Sequence, residues 1–218
     1  MTLETIIDLD THPINQAGFA LACKSQLDQH GVVVLKDFLL PEAKAQMIAE
    51  AKAHQDQAFF TNSNHNVYLT PPDPSLPADH AFNRQVASSK GCICTDQVPM
   101  ESPLHALYQS PDFKAFIAQV VGEPALYPYG DTVSGINVHF APDGKELGWH
   151  FDNSEFAITL LLQKPEAGGE YQYIKDLRNA NAGHMNFDEV AKALDGVTKP
   201  KTLDIDPGTL VLFRGRNS

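Results

Sequence analysis

The stretch "GWHFDNSEFAITLLLQKPEAGGEYQYI", residues 148 to 174, contains the pattern that decides the fold. It begins with alternating aromatic and polar side chains, and successive side chains of a strand point to opposite faces. Trp149 and Phe151 are therefore expected to enter a core, while His150 and Asp152 share the other face. A buried carboxylate is costly unless a cation or several donors lie near it. The alternation predicts a strand that presents an imidazole and a carboxylate to one cavity.

Further strand signals surround this stretch in the second half of the chain. β-Branched and aromatic runs between Gly/Pro turns predict strands, at 131–140, 148–152, 155–163, 170–176, 201–206 and 208–213. Helix start and stop signals predict helices, at 15–31, 41–60, 110–123 and 186–196, with an early strand over 32–40. This order indicates one α+β domain over 1–218, with a helical part to about residue 124 and a strand-rich part from about residue 125.

The composition is that of an ordinary globular protein, with 218 residues, 43% apolar and 20% charged. A net charge of -11 argues against nucleic-acid partners and against anionic membrane surfaces. The three cysteines, Cys23, Cys92 and Cys94, form no zinc-type pair. Since the N-terminus has no signal-peptide pattern, we expect reduced thiols in a cytoplasmic protein.

Residues 61–90 contain four prolines and many turn-forming residues. A structureless segment of this length inside a compact domain is more often functional than idle. A lid over a substrate site and a plain surface excursion are both open interpretations.

An imidazole and a carboxylate on one face are ligands that a divalent transition metal accepts. Two histidines and one carboxylate on one octahedral face form the site of non-haem Fe(II) oxygenases. An H-x-D pair alone is weak support, because it occurs by chance. A histidine satisfied within the core, or a His–Asp hydrogen bond at a sheet edge, stays open as the alternative.

Three longer segments carry a resemblance to a known family. "HGVVVLKDFLLPEAKAQM" (30–47), "INVHFAPDGKELGWHFDNSEFAITLLLQKPEAGGEYQYI" (136–174) and "IDPGTLVLFRGRNS" (205–218) together resemble the Fe(II)/2-oxoglutarate-dependent oxygenases. The "WHFDNSEF" and "TLLLQKPEAGG" segments are most similar to the small bacterial branch that hydroxylates or halogenates free amino acids. The resemblance covers most of the chain and is far more specific than H-x-D alone.

The resemblance implies a double-stranded β-helix (jelly-roll) core with the N-terminal helices packed on it. It implies Fe(II) held by His150 and Asp152, with 2-oxoglutarate and O2 as cosubstrates and succinate and CO2 as products. Halogenases of this branch carry a small residue where Asp152 stands, which leaves a coordination position for chloride. The carboxylate of Asp152 therefore favours hydroxylation.

The resemblance also implies a second metal histidine just after Ser218 and a cosubstrate-binding arginine further on. Neither is in this sequence, and the closing strand of the jelly roll is missing with them. We expect the natural chain to continue, the alternative being a truncated and inactive form. His184 lies in a turn and does not match the absent ligand.

The remaining site candidates come from neighbouring positions. Asn137 and Thr159 are expected to contact 2-oxoglutarate, and His139 and Arg84 are expected to contact substrate. A polar sheet face, ordinary strand packing and a surface ion pair are the alternatives. The predicted activity is hydroxylation of an unactivated C–H bond in a free amino acid or similar small molecule. A peptide or protein side-chain hydroxylase and a metal-free jelly-roll binding protein stay open, as does the oligomeric state.

Overall fold

The computed structural model describes all residues from 1 to 218, which form five helices and eight strands. The helices are α1 Ala17–His30, α2 Pro41–Ala53, α3 Pro103–Gln109, α4 Pro111–Val121 and α5 Phe187–Leu194. The strands are β1 Val32–Leu35, β2 Phe59–His65, β3 Val86–Cys94, β4 Asn137–Phe140, β5 Ala157–Leu160, β6 Tyr171–Tyr173, β7 Lys201–Leu203 and β8 Leu210–Phe213.

The strands form three antiparallel sheets, with orders β1-β8-β5, β2-β3-β4 and β6-β7. Mixed helices and antiparallel sheets confirm the predicted α+β class. The jelly roll stays a prediction, since the three sheets do not by themselves define that topology. No helix of the chain is both long enough and apolar enough to cross a membrane.

The main core lies between the β1-β8-β5 sheet and helices α1 and α4. Strand β8 lies in the middle of that sheet and is buried at every position, as its sequence "LVLF" requires. Helix α4 begins with the Ser110 hydroxyl accepting from the backbone N–H of Phe113, and it ends at Gly122 with φ 83°. Both ends agree with the sequence signals, because Ser caps a helix and Gly accepts the left-handed conformation.

Three strands precede residue 125, so the first half of the chain is less helical than expected. Strand β1 pairs with β8, and β3 pairs with β4, so both halves contribute to the same sheets. The helix predicted over 41–60 ends at Ala53, and β2 begins at Phe59. Pairing of β2 with β3 supplies the backbone partners that local helix propensity could not reveal.

Strands β2 and β3 also shorten the predicted 61–90 loop to a turn-rich segment, 66–85. The buried side chain of Asn83 holds this segment together. Its amide donates to the carbonyls of Asp73, Leu76 and Pro77, and its Oδ1 accepts from the backbone N–H of Asp73.

The predicted strand over 148–152 is wrong, because this segment has no strand ladder. The backbone N–H of Phe151 donates to the Val67 carbonyl, and that of Asp152 donates to the Gly215 carbonyl. The segment is thus held by single hydrogen bonds to two different parts of the chain. Phe151 is buried as predicted, but Trp149 is 39% exposed and does not enter the core. Phe151 takes the core position by stacking on Tyr68, with ring centroids 5.4 Å apart.

Candidate metal centre

The structure brings the two side chains of the H-x-D pair together. His150 Nε2 lies 3.5 Å from Asp152 Oδ1, and each side chain is about one quarter exposed, at 25% and 28%. Both groups are therefore reachable from solvent yet partly shielded from it. An imidazole nitrogen and a carboxylate oxygen at this separation can both approach one cation.

A backbone carbonyl orients the His150 ring. Its Nδ1 lies 2.7 Å from the Gly148 carbonyl oxygen, which can only accept, so Nδ1 carries the hydrogen. Nε2 is then the nitrogen that faces Asp152 and is free to bind a metal. Once Nε2 is protonated it can donate to Asp152, and this interaction raises the pKa of His150 against the opposing effects of burial and of Lys90.

Asp152 is held in place by Gly215, two residues after strand β8. The Asp152 carboxylate occupies the space that a side chain at position 215 would fill, so only glycine fits there. The Asp152 backbone N–H also donates to the Gly215 carbonyl, at 2.9 Å. The end of β8 therefore sets the position of the carboxylate.

The segment before His150 runs along strand β3. The Ser89 backbone N–H donates to the Glu146 carbonyl at 2.7 Å, and a side chain at Gly148 would collide with the Ala87 carbonyl. The lack of a side chain at Gly148 allows this close approach. His150 is thereby placed beside the β2-β3-β4 sheet.

Arg178 joins the two segments that carry the site. Its guanidinium lies 4.1 Å from the centroid of the Phe151 ring, within cation–π range. Its Nε donates to the Arg216 carbonyl at 2.7 Å. Because Phe151 lies between His150 and Asp152, and Arg216 follows Gly215, Arg178 holds both sides of the pair.

One polar face of the β2-β3-β4 sheet borders the site. The His65 ring meets His150 edge-on, with centroids 6.1 Å apart. Cross-strand register puts His139 opposite Cys92 and Asn137 opposite Cys94, so Asn137 and His139 share a face as predicted. The Cys92 thiol donates to Asn137 Oδ1 at 3.5 Å.

The structure does not bring the other predicted residues to the pair. Thr159 is exposed on β5 and pairs with Val211 in the β1-β8-β5 sheet, not in the β2-β3-β4 sheet that borders the pair. Arg84 forms an ion pair with Asp195 at 2.7 Å, which is the surface pairing that the sequence left open. Their predicted binding roles stay predictions.

The arginines and the histidine near the end of the chain also have other partners. Arg214 pairs with Asp28, and Arg216 pairs with Glu155. His184 is exposed in a turn, where its backbone bonds with that of Asn179. None of these groups points to a further ligand for the pair.

Sequence reasoning missed several residues near the pair. Three of them contact the pair or its neighbours from distant parts of the chain, so no local sequence pattern identifies them: Gly215, Arg178 and His65. Tyr171 was read only as a strand residue, yet burial and then the charge of Asp152 raise its pKa. Partial desolvation lowers the pKa of His139, although that residue is exposed, and the charge of Lys90 adds to the shift.

The donor set fits part of a divalent metal site. His150 and Asp152 supply one nitrogen and one carboxylate, but no third His, Cys, Asp or Glu joins them in a cluster. All three cysteines are free thiols. His150 and Asp152 could thus serve as two of the three protein ligands that a facial triad requires.

Comparison with known families places the chain. The family model described as "HalD: Halogenase D" matches residues 83–215, which is more than half of the chain and includes His150, Asp152 and Gly215. No curated protein matches the sequence. The extent of the family match makes this chain a member of the halogenase D family.

Proposed function

We propose that the protein is an Fe(II)- and 2-oxoglutarate-dependent oxygenase that hydroxylates a C–H bond of a free amino acid or a similar small molecule. Membership of a halogenase family supports an oxidative enzyme. The observation that carries the proposal is the 3.5 Å approach of His150 Nε2 to the Asp152 carboxylate. Such a pair matches two members of a facial triad.

In this proposal iron is held by His150 Nε2 and by the Asp152 carboxylate. Bound iron, with 2-oxoglutarate and O2, supplies the oxidising chemistry. The Gly148 carbonyl fixes the tautomer of His150, and Gly215 leaves room for the carboxylate. Arg178 contacts both the Phe151 ring and the Arg216 carbonyl, and so holds the segments around His150 and Asp152 together.

Hydroxylation is favoured over halogenation because Asp152 has a carboxylate. The resemblance drawn from the sequence puts a small residue at this position in halogenases, where chloride takes the free coordination position. In this chain the Asp152 carboxylate is fitted against Gly215 and faces His150. A metal bound by His150 would meet that carboxylate where chloride would otherwise bind.

The test is turnover of 2-oxoglutarate by Fe(II)-loaded protein with a panel of free amino acids, in chloride buffer. We expect one amino acid or related metabolite to stimulate succinate release and to gain one oxygen atom by mass spectrometry. A chlorinated product from the unmodified protein would refute hydroxylation. Stimulation only by peptides would replace the small-molecule substrate, and no succinate with any substrate would favour a binding protein.

The variant Asp152→Gly sharpens this test. It removes the carboxylate and leaves a position that chloride can occupy, so hydroxylation is expected to fall to background. The matched control is Asp188→Gly on the exposed first turn of α5, far from the pair in sequence. Full hydroxylation by Asp152→Gly would remove Asp152 from the metal site.

A further inference from the structure

Lys90 is a half-buried cation without an acidic partner. No carboxylate lies within ion-pair distance of its ammonium, although the protein carries a net charge of -11. Eight of the sixteen Lys and Arg side chains form ion pairs, as with Lys36 and Asp204 or Arg214 and Asp28. The positive charge of Lys90 is therefore not neutralised by a side chain of this protein.

The sheet register puts Lys90 on the polar face that borders the H-x-D pair. Lys90 lies opposite Thr61, and residues two apart along β3 share its face, among them Cys92. Cys92 in turn lies opposite His139, while His65 at the end of β2 contacts His150. Lys90 thus occupies the middle of the face, between His139 and the pair.

Electrostatics agree with this placement. The charge of Lys90 adds to desolvation in lowering the pKa of His139. Because His139 lies opposite Cys92, it is diagonal to Lys90 across the two strands, and such positions are about 7–8 Å apart. A small carboxylic acid can bridge such a span.

Arg84 already has an acidic partner. The sequence predicts that it contacts substrate, and in the structure its guanidinium forms an ion pair with Asp195 at 2.7 Å. A strongly acidic protein repels anionic ligands unless a local cation attracts them. Lys90 is the cation that the polar face offers.

We propose that Lys90 and His139 form a carboxylate subsite beside His150 and Asp152. The ligand is a small carboxylic acid, whose carboxylate accepts hydrogen bonds from the Lys90 ammonium and the His139 ring. In the reaction this carboxylate belongs either to the amino-acid substrate or to the far end of 2-oxoglutarate. Its place in catalysis rests on the proposed function, but the subsite itself can be measured by binding alone.

The experiment compares Lys90→Met with wild type, using 2-oxoglutarate, glutarate and free amino acids as probes. Binding is followed by calorimetry on Mn(II)-loaded protein without O2, and by His139 ring shifts in NMR. A hydrogen bond to a charged group is lost, so affinity for the recognised acid is expected to fall about 10- to 100-fold. Lys90→Gln is a second neutral variant, and Lys90→Arg should keep most of the affinity.

The control is Lys199→Met, which changes an exposed lysine without an ion pair. It should bind every probe as wild type does. If Lys90→Met weakens 2-oxoglutarate and glutarate, the subsite serves the cosubstrate; if it weakens only amino acids, the subsite serves the substrate. Unchanged affinity for all probes in a folded Lys90→Met protein would overturn the subsite.

Failure of the proposed function would look different. In that case the wild-type protein would release no succinate, while binding of carboxylates and its loss in Lys90→Met would persist. Conversely, normal succinate release with unchanged binding by Lys90→Met would remove only the subsite.

Discussion

The substitution Gly215→Ala separates the position of Asp152 from its chemistry. A Cβ at residue 215 would overlap the carboxylate of Asp152 and come within 2.9 Å of its Cβ. Rotation of the carboxylate alone does not relieve the contact with Cβ. Either the Asp152 side chain or the backbone at residue 215 must therefore shift, which changes the position of the carboxylate without removing it.

Two magnitudes follow from this displacement. Forcing an extra methyl into a packed contact costs about 1–3 kcal/mol of unfolding free energy, which for a chain of this size lowers Tm by roughly 2–12 °C. Disturbing a group that orients a metal ligand typically weakens metal binding about 10- to 100-fold. A 10- to 100-fold loss of affinity is about 1.4–2.8 kcal/mol, so metal binding and folding should lose similar free energies.

The assay is titration of metal-free protein with Mn(II) followed by electron paramagnetic resonance, together with thermal unfolding. Gly18→Ala is the matched control, because a Cβ there meets nothing within 4 Å and Gly18 has no positive φ. Gly18 lies within helix α1, so alanine there should raise stability slightly. Wild-type Mn(II) affinity in Gly215→Ala would refute the idea that Gly215 positions Asp152 as a ligand.

Three further predictions concern the surroundings of the site. Arg178→Met should lower the free energy of unfolding by about 2 kcal/mol, measured by denaturant unfolding. It should also reduce Mn(II) affinity about 10-fold, measured by titration. An unchanged affinity would leave Arg178 with a structural role alone. Asn83→Ala should cost about 1–3 kcal/mol and speed proteolysis within 66–85, whereas Asn15→Ala, at an exposed position, should do neither. Burial raises the pKa of Cys23 to about 11 in the folded protein. The thiol of the unfolded chain therefore ionises at lower pH than the folded one, and Tm should fall as pH rises from about 9 to 11. This fall should be shallower in Cys23→Ala.

Local signals predicted the parts of the fold that depend on local physics. The cap at Ser110 and the left-handed Gly122 define α4, and the apolar run 210–213 is buried as a central strand. Such features need only neighbouring residues or a strong apolar pattern. His150 and Asp152 also lie close together as predicted, although tertiary hydrogen bonds to Val67 and Gly215 place them rather than the predicted strand.

Other features depend on contacts that no local pattern contains. Strand β2 forms from residues that read as helix end and loop, because β3 supplies its hydrogen-bond partners. Trp149 and Phe151 have similar apolar character, yet only one of them fits the stack on Tyr68. Lys90 and His139 likewise share one face only because β3 pairs with β4.

A metal centre built on His150 and Asp152 is tested by 2-oxoglutarate turnover of the His150→Ala and Asp152→Ala variants beside wild type, each supplied with Fe(II) and O2. We expect wild type to form succinate and CO2 in equal amounts and each variant to fall to the background of free Fe(II), with Tm close to wild type. Succinate formation at the wild-type rate in both variants would contradict a metal centre built on His150 and Asp152.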